Sequence, residues 1–551
     1  MTASEQPGQH GRPGSRPLAL LTAGFLDAPG DITVTDITLD SREVRAGGLF
    51  LACRGGTRHG VEFAAEALAR GARAVLYEEP LPGDEQARQA AQALSARAHA
   101  VTDGVAAAHG QPAGTGPEDS QLYVASLPQL RGHLGQIADR FFGEPSRQLR
   151  VAGITGTNGK TTCAWLLAQA FTLCGRAGAY SGTLGWGTPP RLTPGAHTTT
   201  DVVSVHRMFA EFVVGGTRCL GMEVSSHALD QGRVDAVRFE AAAFTNLTQD
   251  HLDYHGSMQA YAEAKARLFA LPLAARVINI DDDFGRELAA RPGQGMLVVT
   301  SRAAAAPEGP GRYVWAAGVA HHPGGLDIDV RSSWGEVRLP VPLIGDFNVD
   351  NVLTVLAVLL AAQVPLREAA QALARCSAPP GRMEVLRGAG RTAIVDYAHT
   401  PDALAKALAA ARAHCAGRLL LVFGGGGERD AGKRPLMGGI AARLADEVMV
   451  TDDNPRREDP RQIVAGILAG IDGGAAGSAH GGGAGYPRHR GAAVAVEHDR
   501  ARAIRAALAR AAGGDIVLIA GKGHEDYQLV GTERRAFSDQ QVVRQFMEGT
   551  A

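Results

Sequence analysis

An apolar, strand-like run from Leu149 to Ile154 leads into Gly153-Ile154-Thr155-Gly156-Thr157-Asn158-Gly159-Lys160-Thr161-Thr162, and a helical pattern leaves it. Cys163, Leu166, Leu167, Ala170 and Phe171 recur at helix spacing and predict one buried face. Glycines between a strand and a helix let the backbone wrap a phosphate closely, and the helix points its free N–H groups at the anion. Lys160 would neutralise phosphate charge, and Thr161 or Thr162 would offer a hydroxyl to Mg²⁺. The spelling is a variant. The common pattern wants a glycine five positions before Gly159, where this chain has Ile154, and the upstream glycine stands at Gly153. A bare Gly-rich turn is the alternative, and it leaves the adjacent Lys-Thr-Thr without a reason. The expected ligand is ATP or GTP.

The 551 residues suggest three or four domains. Lys and Arg number 55 against 57 Asp and Glu, so no basic field argues for nucleic acid or an anionic membrane. The longest apolar run, Val352 to Ala362, is too short to span a bilayer. Met1 to Arg16 is rich in Gly, Pro and polar residues, with no apolar core, and reads as a disordered tail, not a signal peptide. The six cysteines, at 53, 163, 174, 219, 376 and 415, show no paired or metal-ligand spacing, which fits a reducing cytoplasm.

Two low-complexity stretches read as surface insertions: Gly83 to Ser120, rich in Ala, and Gly473 to Gly485, nearly all Gly, Ala and Ser. The second cannot bury enough apolar surface to order itself. Elsewhere short apolar runs alternate with Ala/Leu-rich helical patterns. The runs include Ala74 to Tyr77, Val277 to Asn279, Leu419 to Phe423, Glu447 to Thr451 and Ile516 to Ala520. Such alternation predicts open α/β sheets with ligands at the carboxyl ends of the strands. Boundaries near Pro145 and near Pro379-Pro380 divide the chain into three α/β units.

Most chemistry-bearing motifs follow such runs. Glu223, in Met222-Glu223-Val224-Ser225-Ser226-His227, could ligate Mg²⁺ on a transferring phosphate, or cap a turn. Asn246 to Gly256 is dense in acid and imidazole; His251 and His255, four apart, resemble a zinc pair, but no third ligand recurs at useful spacing. Asn279, in Asn279-Ile280-Asp281-Asp282, is placed to read an adenine edge or to make an ordinary turn. Farther on come Asp396 to Pro401, Gly424 to Gly427 with Glu428-Arg429-Asp430, Asp453-Asn454-Pro455-Arg456, and Gly521-Lys522-Gly523-His524-Glu525-Asp526. Gly-rich loops at successive strand ends, tipped with Arg, Asp, Asn and Glu, suit a zwitterion. Arg forks onto a carboxylate, while Asp and Glu accept from an ammonium.

In order along the chain, Gly156 to Thr161, Glu223 to His227, Asn246 to Gly256, Asn279, Gly345-x-Phe-Asn348-x-x-Asn351, Gly381-Arg382-Met-Glu384 and Asp396 to Pro401 resemble the Mur ligases. Leu39-Asp40-Ser41-Arg42, with Gly47 and Phe50, is similar to their uridine-nucleotide domain. Within the family the diaminopimelate-adding members are the nearest. The resemblance implies a three-domain α/β protein: a UDP-MurNAc-binding domain over 17–147, a central P-loop ATPase domain with a mostly parallel sheet over 148–378, and a Rossmann-like amino-acid-binding domain over 379–551. It implies an ATP-dependent amide ligase of peptidoglycan synthesis that uses Mg²⁺ and works as a cytoplasmic monomer. Its substrates would be UDP-MurNAc-L-Ala-D-Glu and meso-diaminopimelate, with no nucleic-acid or membrane partner.

Residue by residue, the resemblance implies that Gly156, Thr157, Asn158, Gly159, Lys160, Thr161 and Thr162 cradle the phosphates. Asn279, Arg382 and His399 would embrace the nucleotide. Thr161, Glu223 and His251 would stand around the metal, joined by Lys265, which matches the lysine this family carbamylates; a plain surface lysine on a helix is the other reading. Leu39 and Ser41 would meet the uridine, and Thr198, Thr199, Ser225, Gln231 and Arg233 the muramoyl-dipeptide part. Arg429, Asp453, Asn454, Arg456, Gly521 and Glu525 would form the diaminopimelate pocket, with Arg456 on the distal carboxylate that lysine lacks. The chain departs from the family at Gly56-Thr57-Arg58, where members often carry His-Gln-Ala, and at Thr200, where many have Pro or Gly. A lysine-adding ligase, a folate polyglutamylating ligase, a small-molecule kinase and a non-catalytic nucleotide sensor are the rival readings.

Overall fold

Ala74–Tyr77, Ala275–Asn279, Leu419–Phe423, Glu447–Val450 and Ile516–Ala520 are strands, almost wholly buried, as continuous runs of Val, Ile, Leu and Ala in parallel sheets should be. The computed structural model describes residues 14–108, 122–195, 197–309, 311–473 and 492–549. It divides into two units: Met1–Thr155, Arg176–Ala242 and Gln249–Ala274 form one, and Gly156–Gly175, Ala243–Thr248 and Ala275–Ala551 the other.

In the first unit, Ile37–Thr38, Leu49–Ala52, Ala74–Tyr77 and Tyr123–Ser126 make a four-stranded parallel sheet. Its core includes Leu18, Leu49, Leu76, Ile137 and Phe141, with Val202 and Val203 of the helix Val202–Val214 joining it. A second sheet places Cys219–Glu223 between Arg150–Thr155 and Gly178–Gly182, both parallel to it. The antiparallel strands Gly185–Thr188 and Arg191–Thr193 extend that edge.

In the second unit, Ala275–Asn279, Met296–Ser301 and Arg312–His322 run parallel, and Gly325–Ser332 and Gly335–Val341 continue antiparallel. The apolar run at Val352 lies in the helix Phe347–Ala361, which is buried on nearly all sides. No helix among the described residues is long and apolar enough to cross a membrane. A six-stranded sheet follows, in the order Glu384–Gly388, Arg391–Asp396, Ile516–Ala520, Leu419–Phe423, Glu447–Val450 and Ala493–Val496, parallel after its first pair. That order sets the carboxyl ends of Arg391–Asp396, Ile516–Ala520, Leu419–Phe423 and Glu447–Val450 side by side. The loops after Asp396, Phe423, Val450 and Ala520 are therefore neighbours.

Three sequence expectations change. Gly83 to Ser120 is not wholly a surface insertion: Glu85–Ala108 is a helix, and Ala87, Ala91 and Leu94 are buried in a core with Phe50, Val61 and Val75. Their i, i+4, i+7 spacing is one helix face, which small alanines mark only faintly. Residues 109–120 of that stretch lie outside the described residues. Arg16 does not belong to a disordered tail, since Arg16–Pro17 pairs antiparallel with Thr33–Val34; residues 1–13 of the expected tail lie outside the described residues. Gly473 closes the helix Pro460–Gly473, and the rest of the Gly473 to Gly485 stretch also lies outside them. The six cysteines are free thiols.

Candidate active site

In the second unit, Gly159 adopts φ +87° as the N-cap of the helix Lys160–Leu173, and Gly156 adopts φ +145°. A Cβ on Gly156 would collide with Thr245 Oγ1, and one on Gly159 with Asn351 Oδ1, so both positions require glycine. The loop is tied to the strap Thr245–Thr248. Thr157 N donates to the Asn246 carbonyl at 2.8 Å and Asn158 N to Asn246 Oδ1 at 2.9 Å, while Thr245 Oγ1 donates to the Asn158 carbonyl at 2.6 Å. Lys160 Nζ sits 2.9 Å from the Gly156 carbonyl and 2.8 Å from that of Thr157, which keeps the ammonium over the loop. Thr161 and Thr162 are in the first helical turn and nearly buried.

Asn348 and Asn351 support this loop from the start of the helix Phe347–Ala361. Asn351 Nδ2 donates to Asn348 Oδ1 at 2.9 Å, and Asn348 Nδ2 to the Ile344 carbonyl at 2.8 Å. Asn279 is buried with both ends of its amide engaged: Nδ2 donates to the Thr245 carbonyl at 2.9 Å, and Oδ1 accepts from Asp281 N at 3.0 Å. It thus braces the strap, a role the adenine expectation had not included.

In the first unit, Glu223 ends its strand buried beside Gly182, where a Cβ would strike its carboxylate. Tyr180 Oη donates to Oε1 at 2.5 Å, as does Thr183 N at 2.9 Å, and Thr183 Oγ1 donates to Oε2 at 3.2 Å. Thr198, Thr199, Ser225, Gln231 and Arg233 are linked to it in a chain of hydrogen bonds. Thr183 Oγ1 is 3.0 Å from Thr198 Oγ1, and Thr199 Oγ1 donates to the Glu223 carbonyl at 2.9 Å. Arg233 Nη1 donates to the Thr199 carbonyl at 2.8 Å and its Nε to Gln231 Oε1 at 2.9 Å. Ser225 caps the short helix Ser226–Asp230.

Lys265 is 1% exposed, with its ammonium 4.2 Å from the Tyr261 ring centroid. The surface-lysine reading therefore fails. His251, at φ +52°, packs its ring 4.8 Å from His227 and lies 3.4 Å from Asp250 Oδ2. His255 also lies against His227, and burial pulls both His227 and His255 below the usual imidazole range. For His255 that burial outweighs the opposing pull of Asp230. Among the described residues no group of three or more His, Cys, Asp or Glu side chains is arranged to hold a metal ion. The oxygen donors fit Mg²⁺ better, since that ion is held through one or two protein oxygens together with phosphates and water.

The loops at the end of the six-stranded sheet collect the remaining candidates. Arg382 lies over the Tyr397 ring at 4.8 Å, and His399 Nδ1 is 2.8 Å from the Tyr397 carbonyl. Arg456, at φ +52°, donates from Nη1 to the Gly427 carbonyl at 2.7 Å. Asn454 Nδ2 donates to Glu525 Oε2 at 2.9 Å, and a Cβ on Gly521 would press on Asp453 Oδ2. Arg429 is exposed at the tip of its loop. In the first unit, Leu39 is half-buried, and Ser41 is buried with its hydroxyl donating to Glu66 Oε2 at 2.7 Å.

Residues 33–142 match the profile described as Mur ligase family, catalytic domain, residues 154–359 the Mur ligase middle domain, and residues 381–523 the Mur ligase, glutamate ligase domain. A UDP-N-acetylmuramoyl-L-alanyl-D-glutamate–2,6-diaminopimelate ligase of Pseudomonas aeruginosa is 43% identical over 94% of this chain and 95% of its own length. One of the same name from Xanthomonas campestris pv. campestris is 45% identical over 94% of each. The chain belongs to the Mur ligase family. A solved structure of a ligase of that same name shares 32% identity at a TM-score of 0.68, covering 97% of this chain and 99% of its own. Mur ligases are ATP-dependent, ADP-forming ligases, so the loop at Gly156 to Thr162 belongs to an ATP-using fold.

Sequence reasoning assigned no role to three residues of this Mur ligase. Tyr180 and Thr183 orient Glu223, and Lys522 lies beneath Asn454 and Glu525. A tyrosine inside the small-residue run Gly178–Gly182 was the signal for the first. A lysine between two glycines at the end of a buried strand was the signal for Lys522.

Proposed function

We propose that this chain joins meso-diaminopimelate to the γ-carboxylate of the D-Glu residue of UDP-MurNAc-L-Ala-D-Glu, with ATP as the energy source. The observation that carries the reading is near-full-length similarity, at 43–45% identity, to ligases named for that reaction. The loop Asp453-Asn454-Pro455-Arg456 supports the choice of amine, because it brings a guanidinium to the loops at the sheet's carboxyl end.

The γ-phosphoryl of ATP passes to a carboxylate oxygen of D-Glu, giving an acyl phosphate and ADP. The amine attacks the acyl carbon, and the tetrahedral intermediate collapses with loss of phosphate and of the amine's proton. A poor leaving group thereby becomes a good one, and the protein's part is positioning and charge neutralisation. Gly156 to Thr162 hold the phosphates, with Lys160 as the counter-charge. Mg²⁺ bound with ATP would neutralise phosphate charge. Thr161 would offer it a hydroxyl, and Glu223 and a carbamylated Lys265 would be its anionic donors. Arg382 and His399 serve the nucleotide. Leu39 and Ser41 serve the uridine, and Thr198, Thr199, Ser225, Gln231 and Arg233 the dipeptide. Arg429, Asp453, Asn454, Arg456, Gly521 and Glu525 surround the amine. The three functions map to residues 17–147, 148–378 and 379–551, in a cytoplasmic monomer.

The experiment is phosphate release from ATP in the presence of UDP-MurNAc-L-Ala-D-Glu with either meso-diaminopimelate or L-lysine, the product identified by mass. A tripeptide product that forms only with diaminopimelate is expected. A lysine product overturns the reading of Arg456, and no amide with either amine overturns the ligase assignment.

A further inference from the structure

Lys522 is 0% exposed at the end of the strand Ile516–Ala520, between Gly521 at φ +119° and Gly523 at φ +53°. A buried ammonium must be fully paired to persist. Nζ donates to the Tyr527 carbonyl at 2.7 Å and to Asn454 Oδ1 at 3.0 Å, and lies 3.2 Å from Asp453 Oδ1 and 3.4 Å from Glu525 Oε2. Three acceptors, with the Asp453 carboxylate as a close counter-charge, take up the three N–H groups and leave no proton for a ligand. The charge instead joins the loop after Val450 to the loop after Ala520.

The consequence is directional. Asn454 Oδ1 accepts from both Lys522 Nζ and Leu529 N, the latter at 2.9 Å, so the amide cannot turn over without facing two donors with its own NH₂. Its Nδ2 is thereby aimed at Glu525 Oε2 at 2.9 Å. With Asn454 and Lys522 both on Oε2, the carboxylate of Glu525 is held in one orientation. Without the ammonium, the carboxylates of Asp453 and Glu525 would lose the cation between them, and the amide its direction.

We propose that Lys522 is the positioning residue of the amine pocket, fixing the amide of Asn454 and the carboxylate of Glu525. This rests on the reading that those two side chains meet the incoming amino acid. The test is steady-state kinetics of the full chain and its Lys522→Met and Lys522→Gln variants, with each of the three substrates varied in turn and thermal melts alongside. Both variants are expected to raise the KM for meso-diaminopimelate at least about tenfold and to leave those for ATP and UDP-MurNAc-L-Ala-D-Glu within about twofold. A merely structural role would move all three together. Unchanged values in all three, a common shift of all three, or failure of both variants to fold overturns the positioning role. If the wild type makes no amide with meso-diaminopimelate, the functional reading fails instead. The KM comparison is then made with whichever amine the wild type accepts, so the two failures stay distinct.

Discussion

Tyr180 donates a 2.5 Å hydrogen bond to Oε1 of Glu223 and itself accepts from Leu184 N at 3.2 Å, so the phenol links the start of the hairpin to the buried carboxylate. Thr183 supplies the other donors. Tyr180→Phe removes one charge-assisted bond and leaves the ring in place. A fall in kcat of roughly ten- to a hundredfold is expected with the fold intact, because a bond to a charged acceptor contributes about 1.5–3 kcal/mol. Turnover kinetics with a parallel melt check it; an unchanged kcat would mean that Thr183 alone orients Glu223.

Lys160→Ala takes away the ammonium held over the carbonyls of Gly156 and Thr157. Turnover should fall below detection while the melting curve stays close to wild type, because in the proposed reaction the side chain acts on the nucleotide and not on the core. Phosphate release measures this, and retained activity would sink the phosphate-loop assignment.

Arg456→Ala deletes the guanidinium anchored to the Gly427 carbonyl. The KM for meso-diaminopimelate should rise at least roughly thirtyfold, in the range for losing one partner of a desolvated charge pair. The KM for ATP should not move. Discrimination against L-lysine should narrow, which competition between the two amines would reveal.

Arg500 and Asp539 form a fully buried pair, Nε to Oδ1 at 2.8 Å and Nη2 to Oδ2 at 2.8 Å, with Nη2 also donating to the Ala520 carbonyl. Asp539→Asn leaves an uncompensated buried guanidinium and should cost about 3–5 kcal/mol. Urea denaturation reads it. Replacing both residues with apolar ones of similar volume should cost less than the single change.

Glu458 accepts from Arg434 at 2.6 and 2.8 Å, and that hydrogen bonding is the main reason its carboxyl lies below the ordinary value of 4.5, with burial acting the other way. A carboxyl depressed in the folded state binds its proton more readily when unfolded. The stabilisation is therefore complete above pH 4.5 and disappears as pH falls through the folded value. Glu458→Gln should be less stable than wild type at neutral pH, with the difference closing in the acid range. Denaturation midpoints measured across that range check the sign.

Much of the site was readable because it is local. Gly156 to Thr162 is one strand–turn–helix, and its need for glycine and lysine is expressed by adjacent residues. The loops after Asp396, Phe423, Val450 and Ala520 were legible for the same reason, each being a polar cluster behind an apolar strand. The sequence by itself thus determined the buried parallel strands, the strand–turn–helix at Gly156 to Thr162 and the residue types at the strand ends.

What tertiary structure decided is which of those groups meet. Tyr180 and Glu223 are 43 residues apart, and Lys522 and Asn454 are 68 apart; nothing in their own neighbourhoods names the partner. Lys265 looks like any helical lysine until the packing around Tyr261 buries it. Ala87, Ala91 and Leu94 read as low complexity until Phe50 and Val75 cover them. Periodicity and turn chemistry are properties of contiguous backbone, whereas burial and charge pairing are set by chain segments that only the fold brings into contact.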